Sequence, residues 1–111
     1  MKMEDSKLGK AAVVEVTGRM DGTSSQVFEA HCEKLITKGD TAFVLDFEHL
    51  EYLSSAGLRS ILTILKKVKP HGGKVIICGA KGTAKEIFDI SGFSSMFPMV
   101  NTLEDAAKLV L

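Results

Sequence analysis

Two short, nearly continuous apolar runs, Ala42 to Phe47 and Lys74 to Gly79, bracket a stretch whose apolar residues recur at helical spacing. A strand covered on both faces needs such a run, because neither of its sides meets water. Between the two, Ser54 to Lys69 sets Leu58, Ile61, Leu62, Leu65 and Val68 along one face. Arg59, Lys66, Lys67 and Lys69 fall largely elsewhere, most of them in the last turns, where they complement the helix dipole. Pro70-His71-Gly72-Gly73 ends the helix. Strand, helix, strand in this order predicts a parallel pair joined by a right-handed crossover.

The rest of the chain extends that unit. Ala11 to Thr17 reads as a strand, with an edge strand over residues 2–7 joined to it by a turn at Leu8-Gly9-Lys10. Thr23 to Lys38 reads as a helix with Phe28, Cys32, Leu35 and Ile36 on one stripe. Thr83 to Ile90 reads as a short helix, Met99-Val100 as a last short strand, and Thr102 to Leu111 as a terminal helix. The expected architecture is an α/β sandwich with a mostly parallel sheet of four to five strands and about four helices, in one domain over residues 1–111. The loops after residues 17, 47 and 79 then emerge at the carboxyl edge of the strands, the edge where α/β sheets place their chemistry. Gly18 to Gly22, Phe47 to Ser55 and Ala80 to Thr83 are therefore expected to be neighbours.

Composition narrows the function. Fourteen basic side chains balance fourteen acidic ones, which argues against a general nucleic-acid binder. Cys32 and Cys78 show no metal or redox spacing and sit in apolar patterns, so packing in a reducing cytoplasm is expected. No run is apolar and long enough to suggest a membrane span, and the start lacks a signal-peptide pattern. His31, His49 and His71 come with no nucleophile elbow and no ligand spacing, so no catalysis, metal or cofactor is expected. Gly79-Ala80-Lys81-Gly82-Thr83 follows a strand, but it lacks the spacing of a phosphate-binding loop.

The helix starts single out one place. Three helices open with Thr and carry Gln26, Glu86 or Asp105 three residues later, the pattern of a reciprocal capping box. The helix that begins at Ser54-Ser55 breaks the habit: three residues on stand Gly57 and Leu58, and neither side chain can return a bond. Its first amides are expected to stay open to an anion, and Ala56 and Gly57 are expected to leave room for a partner's backbone. The plainer expectation is that Ser54 or Ser55 is only an N-cap.

The stretch Leu45-Asp46-Phe47, then Tyr52-Leu53, then Ser54-Ser55-Ala56-Gly57-Leu58 resembles the signature of the STAS domain, the fold of bacterial anti-sigma-factor antagonists. Gly18-Arg19-Met20-Asp21, Gly72-Gly73-Lys74 and Phe88 to Phe93 resemble that family's outer motifs, in order and over nearly the whole chain. The resemblance implies a phosphoacceptor serine two positions before the motif glycine, which is Ser55. Ser54, the second choice, stands where the family usually has Asp. The implied partners are a kinase-like anti-sigma factor, bound by the unphosphorylated form so that a sigma factor is released, and a serine phosphatase. Asp21, Leu53, Ser54, Ser55, Ala56 and Gly57 are expected to meet the partner, with Asp46, Glu48 and Glu51 nearby; Asp21 and Asp46 can equally cap loop amides. A soluble STAS subunit of a transport or signalling assembly is the alternative.

Overall fold

The computed structural model describes residues 1–110; Leu111, the end of the expected terminal helix, lies outside the described residues. The chain runs β1 (Lys2–Leu8), β2 (Ala11–Met20), α1 (Ser24–Thr37), β3 (Ala42–Asp46), β4 (Leu50–Leu53), α2 (Ser55–Val68), β5 (Lys74–Cys78), α3 (Gly82–Ser91), β6 (Met99–Val100) and α4 (Leu103–Val110). The sheet is ordered β1-β2-β3-β5-β6, and β4 pairs with β2. Only β1 runs antiparallel to its neighbour; the other pairings are parallel.

Six strands replace the four or five expected, because β4 lies inside what reads as an acidic loop. β2 makes room for it by being long. Its residues Ala12 to Glu15 pair with β3, and its last residues, Gly18 to Met20, pair with β4 across a register break between Gly18 and Arg19.

The apolar runs are explained by burial on both faces. Val14, Val16, Phe43, Leu45, Val75 and Ile77 point into the larger core, under α1, α2 and α3. The residues between them, Val13, Val44, Ile76 and Cys78, point into a smaller core closed by Ala106 of α4. Cys32 and Cys78 are buried, one in each core, and are free thiols. Burial is the main reason that both thiols titrate only at about 12. They are therefore neutral packing residues.

Candidate functional site

The carboxyl ends of β2, β3 and β5 bring the three expected segments together. The Gly18 N–H donates to the His49 carbonyl at 3.1 Å, and the Phe47 N–H donates to the Cys78 carbonyl at 2.9 Å. At Gly79, with φ of 75°, an added Cβ would stand 2.9 Å from the Glu48 nitrogen, so only glycine lets these two loops touch. β4 ties the edge to α2: the Ser54 N–H donates to the Met20 carbonyl at 2.9 Å.

Ser54 is the N-cap of α2, extended at φ −83° and ψ 169°. Its Oγ accepts from the Gly57 N–H at 3.1 Å, and its carbonyl accepts from the Leu58 N–H at 3.0 Å. Ser55, the next residue, opens the helix and is exposed. Its hydroxyl has no hydrogen-bond partner among the described residues, nor do the N–H groups of Ser55 and Ala56. The structure thus separates two adjacent hydroxyls. One is half-buried and engaged in holding the helix; the other is free at its positive end.

Gly57 and Leu53 sit differently from the expectation. Leu53 is 3% exposed and Gly57 is buried, so neither presents its side to a partner. A Cβ on Gly57 would fall 2.6 Å from Leu53 Cδ1 and 3.1 Å from Met20 Cγ and Sδ. The glycine thus lets α2 rest closely on the Leu53 and Met20 side chains of β4 and β2. Ala56 is half-buried, which leaves Ser55 as the exposed member of the motif.

Asp21 is committed locally. Its Oδ1 accepts from the N–H groups of Thr23 at 3.1 Å and Ser24 at 3.0 Å, while the Ser24 Oγ accepts from the Asp21 N–H at 2.8 Å. The Ser25 N–H reaches the Asp21 carbonyl at 2.9 Å, so the first turn before α1 opens at Asp21. Asp21 and Ser24 form the capping box expected of Thr23 and Gln26. Thr23 cannot be the cap, because its backbone is already helical. The Ser24 amide, then its hydroxyl, hold the Asp21 carboxyl below its ordinary 3.8.

Thr83 and Glu86 form no box either. Thr83 lies inside α3, and its hydroxyl donates to the Glu51 carbonyl at 3.4 Å. Only Thr102 caps as expected, accepting from the Asp105 N–H at 3.1 Å. Asp46 is 6% exposed and accepts from the Glu48 N–H at 3.1 Å, so it turns inward as a loop brace, while Glu48 and Glu51 are exposed.

Two shallow cavities meet at Ser55. One, of about 310 Å³, lies between β4 and α3 and is lined by Tyr52, Ser54, Ser55, Glu86 and Ile90 among others. The other, of about 330 Å³, lies between α2 and α3 over Leu58, Leu62, Ile87 and Phe93, with Arg59 at its edge. Ile90 is 85% exposed at the first. The Arg19 guanidinium lies 4.3 Å above the Tyr52 ring, a cation–π pair between β2 and β4 that the sequence pattern did not announce. The loop at Lys81 to Thr83 does line a cavity of about 540 Å³, but it shares the lining with Glu48 and Glu51, whose charge opposes a phosphate. His31 Nε2 stands 2.7 Å from Asp5 Oδ1, joining α1 to β1. No cluster of His, Cys, Asp and Glu able to hold a metal occurs among the described residues. No helix of the described residues is long and apolar enough to cross a membrane.

Residues 2–106 match the family model of the STAS domain. The chain is 35% identical over 107 residues to BtrV of Bordetella bronchiseptica, provisionally named an anti-sigma factor antagonist; the match covers 96% of this chain and 92% of that protein. The fold is similar to that of the anti-sigma factor antagonist SpoIIAA in its unphosphorylated form, with a TM-score of 0.87 at 21% identity over 98% of this chain and 96% of that one. It is similar also to the phosphorylated form of SpoIIAA, a Bacillus cell fate determinant, with a TM-score of 0.80 at 21% identity over 99% and 100% of the two chains.

Proposed function

The chain belongs to the STAS-domain family, and from that premise we propose that it is an anti-sigma-factor antagonist switched by phosphorylation of Ser55. The unphosphorylated form binds a kinase-like anti-sigma factor in the cytoplasm and so releases a sigma factor. The protein acts by binding and catalyses nothing itself. The observation that carries this reading is the contrast between the two serines: Ser54 Oγ is engaged with the Gly57 N–H, while Ser55 Oγ is exposed and unbonded among the described residues.

The kinase transfers the γ-phosphoryl group of ATP to Ser55 Oγ. A new P–O bond forms, the bond to ADP breaks, and the hydroxyl proton passes to a base of the kinase. A phosphatase returns the hydroxyl by hydrolysis. The phosphate brings a charge of about −1.5 to −2. At the start of α2 the dipole favours it by about 0.3–1 kcal/mol, so the fold persists. The complex does not, because a like-charged or desolvated contact costs several kcal/mol and each 1.4 kcal/mol is about tenfold in affinity.

Peptide mapping by mass spectrometry after incubation with ATP and the host's kinase-like anti-sigma factors tests the acceptor. The expected result is one phosphate, on Ser55; a phosphate on Ser54 alone, or none, overturns the reading. Binding of the same partner should survive Ser55→Ala and fall by at least about 100-fold in Ser55→Asp.

A further inference from the structure

We propose that Arg59 is the built-in counter-ion of the Ser55 phosphate, and that the two form a latch closing the start of α2 once the serine is modified. This rests on Ser55 being the acceptor. Ser55 is the first residue of α2 and Arg59 stands one turn on, at i+4, the spacing that stacks two side chains on one helix face about 6 Å apart. The order is the favourable one, with the anion nearer the helix start. Both residues line the same cavity of about 330 Å³, whose floor is Leu58, Leu62, Ile87 and Phe93. Among the described residues, no carboxylate lines that cavity and Arg59 makes no ion pair.

The guanidinium is therefore uncommitted, and its planar fork fits two phosphate oxygens at once. An apolar floor on one side strengthens the attraction relative to open water. The unpartnered N–H groups of Ser55 and Ala56 add donors at the helix start. Ser54 matters here as well. It caps the helix without charge, so no carboxylate next to the acceptor competes for Arg59. The remaining acidic neighbour is Glu86 of α3, in the adjoining cavity. Modification thus changes the surface twice: it adds a dianion, and it withdraws an exposed cation that a partner could otherwise use.

The test places phosphoserine at position 55 co-translationally and follows its second ionisation by phosphorus NMR. In the protein with Arg59 the titration midpoint should lie about 0.15–0.4 pH units below that of Arg59→Gln, with Arg59→Lys in between. The gap should shrink in about 1 M salt. Equal midpoints in all three proteins overturn the latch. Because no kinase is involved, a failure here is distinct from a failure of the proposed switch, which the peptide map reads.

Discussion

The starts of α1 and α2 are the same device built two ways. At α1, the cap Asp21 and Ser24 three residues on satisfy each other's backbone N–H groups. At α2, the cap Ser54 satisfies Gly57, but Gly57 has nothing to give back; the Ser54 N–H goes instead to the Met20 carbonyl at the end of β2. One start is closed by its own residues, and the other is closed by the sheet beneath it. The difference follows from packing. At the position where α1 has Ser24, a Cβ on α2 would press on the Leu53 and Met20 side chains, which would have to shift to admit it. Borrowing the sheet for that bond leaves the residue between, Ser55, with nothing to do for the fold. A side chain free of structural duty is one that can be modified without unfolding the protein.

The strongest way to break the contrast is to fill the missing Cβ. Gly57→Val should force α2 off β2 and β4 and lower unfolding free energy by about 1–3 kcal/mol in denaturant titration; an unchanged midpoint would mean that the close approach is not what requires glycine. Next comes the cap itself. Ser54→Ala should cost about 1 kcal/mol, because the buried Gly57 N–H loses its acceptor, whereas Ser55→Ala should leave thermal stability nearly unchanged. The smallest effect sharpens the α1 side. The Asp21 carboxyl titrates below its ordinary 3.8 in the folded protein, so its contribution is fully present above that value and is lost as pH falls through the depressed one. The difference in melting temperature between the wild type and Asp21→Asn should therefore be largest near neutral pH and shrink below pH 4.

Much of the fold is legible in the sequence because the two apolar runs and the Leu58-Ile61-Leu65-Val68 stripe can be satisfied in few ways. β4 is not legible. Leu50 to Leu53 is only four residues long and carries an exposed Glu51, and what makes it a strand is its pairing with Gly18 to Met20, far away in the chain. The capping box expected at Thr23 failed for a local reason. A Thr followed three residues later by Gln or Glu is a cap only if its backbone is still extended, and Asp21 had already started the helical turn before Thr23. At the site, the resemblance of Ser54 to Leu58 to a known motif directed attention to the start of α2, where Ser55 is exposed. It could not tell Gly57 as packing from Gly57 as clearance, nor show that Arg59 shares a cavity with Ser55. Both depend on what β2 and α3 bring from elsewhere.

The pairing of β2 with β4 also bears on when the start of α2 takes its final form. Ser55 is presented by a helix start whose supports, the Met20 carbonyl and the Met20 and Leu53 side chains, come from two strands that meet only after α1 and β3 have been threaded between them. Contacts that close so long a loop form late. A newly made chain therefore carries the serine motif well before it carries the folded edge that presents it.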